Sequence, residues 1–241
     1  MTTHMVFRDD PYAREADATV MGLQDGRGIV PDRSIFYPTG GGQPGDSGTL
    51  EWEGGVCQIM TTVKGQNGHI VLVPAEGAAL PGQGAKIRMI LDWERRYSLM
   101  RVHTALHLLS VVMPFGVTGG SISEGKGRLD FDMAEPPEDK DAITDALNRL
   151  ISTDASVTES WITDAELDAQ PDLVKTMSVK PPRGSGRVRL IRIGENGNQV
   201  DLQPCGGTHV SRLSEIGAVR LGKVEKKGRM NRRVYLHLEA G

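Results

Sequence analysis

The sequence predicts an α+β protein in two parts, a small N-terminal β-barrel over residues 1–91 and an α+β domain over residues 92–241. Three observations carry that prediction. Short apolar runs separated by Gly, Pro and Asn clusters about every ten residues fill the first ninety positions, the spacing of a small barrel or sandwich. From Asp92 the chain then runs about twenty residues without Gly or Pro. Beyond Pro114, helix-like and strand-like segments mix. With 241 residues, 38% of them apolar, the chain can bury a substantial core.

In order, the barrel strands are expected at Gly28-Ile29-Val30, Ser34-Ile35-Phe36-Tyr37, Val56 to Val63, His69 to Val73 and Ala85 to Leu91. Asp92 is a plausible N-cap for a long helix that stops at Pro114, with Leu99, Val102, Leu106 and Leu109 along a buried stripe. GRLDFDM reads as a strand, and EDKDAITDALNRLIST as a second helix buried along Ile143, Ala146, Leu147, Leu150 and Ile151. Ser156 to Ile162 is a strand, and Thr163-Asp164-Ala165-Glu166 has the form of a capping box. Val188 to Ile193 and Gln199 to Leu202 make a hairpin across Glu195-Asn196-Gly197-Asn198, and VRLGKV with RRVYLHL makes another.

Several function classes fall away at once. No apolar run reaches the roughly 18 residues a spanning helix needs, and the polar start MTTHMVFRDDPYAREAD does not read as a secretory signal, so a cytoplasmic protein without membrane contact is expected. Two cysteines, Cys57 and Cys205, are too few for a disulfide framework. Cys57 sits in a strand-like run as a small hydrophobe, whereas Cys205 stands in PCGGTH, four residues before His209.

That Cys-x-x-x-His has a counterpart. His103 and His107 are four apart on the long helix, so their imidazoles share one face. Alone, the helix pair reads better as ordinary, partly exposed or core-satisfied histidines, and the Cys-x-x-x-His equally well as a turn with a buried thiol. Together they form a nitrogen-rich set with one sulfur, which suits a single tetrahedral zinc. Structural zinc sites are richer in cysteine and stabilise segments too small to fold alone, so a catalytic or substrate-binding zinc is expected here. The zinc proteases place a glutamate base directly after their first helical histidine. Thr104 occupies that place, so an ester is a better substrate than an amide.

Two further stretches stand out. YPTGGGQPGDSGTL lacks the Gly-Lys-Ser/Thr ending of a phosphate-binding loop and the spaced glycines of a dinucleotide fingerprint. It is either a tight connection between strands or a place of close backbone approach to a ligand, through Gly40, Gly41 and Gly42 with Thr39, Gln43 and Asp46 as polar contacts. Near the C-terminus Arg220, Lys223, Lys226, Lys227, Arg229, Arg232 and Arg233 crowd one hairpin in a chain of net charge -3. Such a cluster reads as a footprint for a nucleic-acid backbone.

With FYPTGGGQPGDSG, VHTALHLL, GSISEGKGRLDFDM, and PCGGTHVSRLSEIG followed by KKGRMNRRVYLHL in this order, the sequence resembles the free-standing alanyl-tRNA editing proteins of the AlaX type and the editing domain of alanyl-tRNA synthetase. The resemblance covers nearly the whole chain. It implies a barrel followed by an editing domain of the threonyl/alanyl-tRNA synthetase type, in the medium-length class, without an aminoacylation core. It also implies zinc on His103, His107, Cys205 and His209, and hydrolysis of the ester that joins a wrong amino acid, serine or possibly glycine, to tRNA(Ala).

No obligate protein partner is implied. The substrate pocket would draw on the glycine-rich residues, on Thr104, on Gly206, Gly207 and Thr208, and on Thr118, which stands where the synthetase domain usually has a glutamine. Two rival readings remain at this point: a zinc-stabilised tRNA-binding module without turnover, and a zinc-dependent esterase for a small metabolite. Stoichiometric protection would mark the first, and indifference to tRNA and salt the second.

Overall fold

A computed structural model describes residues 2–175, 186–195 and 197–239. It is a mixed α/β protein whose chain divides into two compact units, Met1–Tyr97 and Ser98–Gly241.

The first unit begins with β1 (His4–Met5) and the single turn α1 (Val6–Asp9), then supplies β2 (Glu15–Gln24), β3 (Gly28–Pro31), β4 (Arg33–Ser34), β5 (Gly48–Trp52), β6 (Gly55–Lys64), β7 (Ile70–Pro74) and β8 (Lys86–Leu91). Six of these close a barrel in the order β2-β3-β7-β6-β5-β8. Alternate residues point inward, so Ala18, Val20, Ile29, Leu50, Cys57, Ile59, Ile70, Leu72, Ile87 and Met89 meet in one apolar core.

Two barrel expectations need correcting. The barrel strands β2 and β5 were not foreseen, because EADATVMGLQ mixes charged and small residues with its inward positions and GTLEW begins inside the glycine-rich stretch. Conversely, Ile35 to Tyr37 are buried but form no strand. Their backbone is satisfied by side chains instead: Arg96 Nη2 donates to Ile35 O at 2.7 Å, and the Tyr37 N–H donates to Asp46 Oδ2 at 2.5 Å.

The helix α2 (Trp93–Val112) starts where Asp92 accepts the Arg95 N–H at 3.3 Å and ends two residues before Pro114. In the second unit it is followed by β9 (Val117–Ser123), β10 (Lys126–Asp132), α3 (Lys140–Ser152), β11 (Val157–Thr163), α4 (Asp164–Asp168), β12 (Arg187–Ile193), β13 (Asp201–Pro204), β14 (Val219–Gly228) and β15 (Asn231–Leu238). One antiparallel sheet has the order β14-β15-β10-β9 and another β11-β12-β13. The expected capping box holds, with Thr163 and Glu166 each satisfying the other's backbone N–H. The β12–β13 turn passes through Asn196, which lies outside the described residues; on either side of it the Asn198 N–H reaches Glu195 O at 3.0 Å.

Helix α2 is held against β10 by shape. A Cβ on Gly127 would stand 2.7 Å from Val102 Cγ1 and 2.9 Å from Leu106 Cδ1, so only glycine admits the helix this closely. Arg101 adds two bonds to Ile216 O, at 2.7 and 3.0 Å. Leu99, Val102, Leu106 and Leu109 are all buried, as their spacing predicts.

Candidate metal centre

His103 and His107 sit one turn apart on α2, and the strand β13 runs directly into the turn that carries Cys205 and His209. All four donor atoms lie within 4.8 Å of one another. Cys205 Sγ is 3.4 Å from His103 Nε2 and 3.3 Å from His209 Nε2. Zinc with a Zn–S bond of about 2.3 Å and Zn–N bonds of about 2.0 Å sets sulfur–nitrogen edges of about 3.5 Å in a tetrahedron. Two of the three sulfur–nitrogen edges are close to that length already and all four donors lie within 4.8 Å, so the donor set and spacing fit the ion.

The electrostatics fit as well. Burial alone would push the Cys205 thiol up, but the imidazoles of His103 and His209 outweigh it and hold the group well below the usual thiol range. Burial, and then the neighbouring His103, push His209 down to about 3, leaving a neutral imidazole. Burial opposes a charge on His107 too, yet Asp201 and the Cys205 sulfur raise it to about 9. A cation bound there would take the place of that proton.

The turn itself is pinned from behind. The Cys205 N–H donates to Arg189 O at 3.1 Å, and Arg189 Nη1 donates to Cys205 O at 3.2 Å and to Gly207 O at 2.8 Å. Arg189 is in turn fixed by Glu159 at 2.5 Å.

Comparison with known proteins places this chain. Residues 188–235 match the family described as threonyl and alanyl tRNA synthetase second additional domain. The chain is 34% identical over 233 residues to an alanine–tRNA ligase of Pyrobaculum neutrophilum, covering 93% of this chain but only 25% of that ligase. It is 32% identical to the alanyl-tRNA editing protein AlaX-L of Pyrococcus horikoshii over 93% of this chain and 55% of that protein. Against the alanyl-tRNA editing protein AlaX-M of Methanosarcina acetivorans it is 32% identical over 246 residues, 98% of this chain and 99% of the relative. The chain belongs to the AlaX-type alanyl-tRNA editing family.

Within this AlaX-type chain, several residues expected in a substrate pocket do other work. Thr104 is fully buried. Its hydroxyl donates to Met100 O at 3.0 Å and accepts from His209 Nδ1 at 3.2 Å and the Val210 N–H at 3.3 Å, so it orients a candidate ligand rather than offering a free contact. Thr118 donates to Asp130 O at 3.1 Å and accepts from Asn231 Nδ2 at 3.2 Å, which spends its hydroxyl between strands. Gly207 and Thr208 are buried beside the ligands, while Gly206 has open space where a side chain would go.

The glycine-rich stretch, in the first unit, resolves mostly into architecture. Gly40 and Gln43 exchange two backbone hydrogen bonds of 3.0 Å, and between them Gly41 and Gly42 take φ of 58° and 82°, the pair of positive angles a type I′ turn demands. Thr39 accepts the Gly45 N–H at 2.9 Å and donates to Thr62 O at 3.3 Å. Gln43 and Asp46 are both buried. The Asp46 carboxylate faces the buried Arg96, whose Nε donates to its two oxygens at 3.0 and 2.9 Å.

Of the basic residues, Arg220, Lys223, Lys226, Lys227 and Arg229 are exposed along the β14–β15 hairpin. Arg220 pairs with Glu239 at 2.7 Å, and Lys223 and Lys227 flank Glu225. Arg232 is withdrawn from the expected footprint, because its Nη1 is buried against Gly228 O at 2.9 Å and Asn231 O at 3.1 Å. Arg233 is held by Asp130 at 2.8 and 2.9 Å.

Sequence reasoning missed Asp201, Gln203, Lys175 and Arg189. Asp201 and Gln203 alternate with Cys205 at the strand period of two, a pattern that marks one face of β13 and could have exposed them. Lys175 and Arg189 carry no such signal. Lys175 and Asp201 also line a cavity of about 420 Å³, together with Gln170, Asp172, Gln199 and Leu202.

Proposed function

We propose that this chain is a trans-editing deacylase, which hydrolyses the ester linking a wrong amino acid to tRNA(Ala), serine first and glycine second, with one zinc ion held by His103, His107, Cys205 and His209. The observation that carries the reading is the preformed four-donor cluster in a chain aligned end to end with an alanyl-tRNA editing protein. On this reading residues 1–91 are the family's N-terminal barrel and residues 92–241 its α+β editing domain, a division six residues before the end of the first compact unit at Tyr97.

A zinc ion held there would supply Lewis-acid chemistry to the ester carbonyl or to a water, which requires it to expand beyond the four protein donors or to release one of them. The chain's own residues do the rest. Thr104 and Asp201 aim the imidazoles of His209 and His107 from behind. Arg189 keeps the PCGGTH turn from opening. The exposed cations Arg220, Lys223, Lys226, Lys227 and Arg229 hold the phosphate backbone, and the terminal adenosine contributes binding energy remote from the ester. Serine is alanine plus a hydroxyl, so a pocket that hydrogen-bonds the hydroxyl rejects the correctly charged tRNA by leaving a polar group unpaired.

The test is turnover. Sub-stoichiometric protein should strip an excess of seryl-tRNA(Ala) and leave alanyl-tRNA(Ala) charged, with glycyl-tRNA(Ala) in between. Protection limited to one tRNA per protein would replace the enzyme with a binding module.

A further inference from the structure

We propose that Asp201 is a positioning residue for the metal centre: together with Lys175 and Gln203 it fixes the tautomer and aim of His107. This rests on the metal reading of the cluster, but concerns residues outside the ligand set.

Asp201 is 2% exposed, and both of its oxygens are committed. Oδ1 accepts from Lys175 Nζ at 2.6 Å. Oδ2 lies 2.9 Å from His107 Nδ1 and 2.7 Å from Gln203 Nε2. An ionised carboxylate accepts only, so the Nδ1 proton of His107 stays on the Asp201 side, and the proton that a metal would displace is the one on Nε2, the nitrogen turned toward Cys205 and the other ligands. Gln203 Nε2 also lies 3.0 Å from His107 Nδ1, but two donors cannot bond each other. Its amide therefore serves Asp201, with a second, longer reach to Ser110 Oγ at 3.4 Å.

Lys175 explains how a carboxylate is tolerated in this place. An ionised group buried beside an imidazole that a bound metal would keep neutral needs a counter-charge, and Lys175, still 29% exposed, supplies it from the solvent side. The arrangement parallels the support of His209 by Thr104, but is stronger because the acceptor is charged. The two helical or turn ligands thus have different backers, one neutral and one ionic.

Carboxylates behind a metal-bound histidine are typically worth about 10 to 100-fold in metal affinity. Asp201→Asn keeps the shape and loses the charge. The decisive readouts are zinc affinity by competition with a chromophoric chelator and the visible spectrum of the cobalt(II) form, beside circular dichroism and melting of the metal-free protein. Asp201→Asn should fold, bind zinc about 10 to 100-fold more weakly, and shift the cobalt bands. Lys175→Met should weaken zinc by a smaller factor, and Lys175→Arg should restore it. Wild-type affinity with an unchanged cobalt spectrum in Asp201→Asn, or in Lys175→Met should the first variant fail to fold, overturns the proposal. Because these readouts need no tRNA, a wrong substrate assignment would leave the result intact.

Discussion

PCGGTH and YPTGGGQPGDSG look alike on paper: each is glycine-rich, each carries polar residues suited to a ligand, and each interrupts a strand pattern. In the structure they part company. Around Cys205 the donor atoms of four side chains converge, and the bonds behind them come from Arg189, Asp201 and Thr104, which steady the donors without consuming them. Around Gly41 the polar groups are spent: Asp46 on Arg96 and Tyr37, Thr39 on Gly45 and Thr62. A stretch is a chemical site when its lone pairs are aimed at a common point, and a structural one when they are aimed at its own backbone.

The sharpest way to break that distinction is at Arg96. Its guanidinium is fully buried against Asp46, with further bonds to Ile35 O at 2.7 Å and Pro11 O at 3.0 Å. Arg96→Met leaves the buried Asp46 charge without its counter-ion, still held by the Tyr37 N–H, which costs about 3–5 kcal/mol for a buried pair. Denaturant unfolding should show a loss of that size, while any fraction that folds should still bind one zinc. A loss below 1 kcal/mol would mean that the loop is not built on this pair.

The two sets of glycines sharpen the comparison next. At Gly45 a Cβ would stand 2.0 Å from Thr62 O and 2.7 Å from Thr62 N, whereas at Gly206 nothing lies within 4 Å. Gly45→Ala should therefore cost about 1–3 kcal/mol by forcing backbone apart. Gly206→Ala should stay within about 0.5 kcal/mol of the parent. Equal melting temperatures for the two variants would contradict the packing described here.

How much of this was legible in advance follows from the range over which each feature is encoded. The four candidate ligands were readable because their spacing is local, one helical turn for His103 and His107 and one tight turn for Cys205 and His209. The barrel was readable from its turns, apart from β2 and β5, whose apolar pattern is weak, and from Ile35 to Tyr37, which are satisfied by Arg96 and Asp46, from distant parts of the sequence, so an apolar run that resembles a strand is not one. Asp46 and Thr104 were misjudged for the same reason, since whether a polar side chain is available depends on partners that no spacing reveals. Lys175 reaches Asp201 across 26 residues and was invisible for that reason too.

A smaller effect concerns the hairpin assigned to tRNA. Burial would raise the Asp130 carboxyl, but bonds from Arg233 and Arg128 outweigh it and hold the group below the usual carboxylate range. A carboxyl depressed in the folded state stabilises above its unfolded pKa of about 3.9 and loses that contribution as pH falls through the lower folded value. Asp130→Asn should thus be less stable than the parent at pH 7, with the gap closing as pH drops below about 4. A gap independent of pH would assign the loss to packing rather than charge.

The central claim is that the four converging donors hold a metal the reaction needs. The most direct measurement is deacylation of seryl-tRNA(Ala) by the parent chain and by Cys205→Ala, each assayed for bound zinc before and after chelation and re-addition. The parent should carry one zinc, lose activity on chelation and regain it with zinc. Cys205→Ala should bind zinc poorly and turn over about a thousandfold more slowly, the scale of several kcal/mol of lost charge stabilisation. Full activity in the chelated parent or in Cys205→Ala would contradict the account.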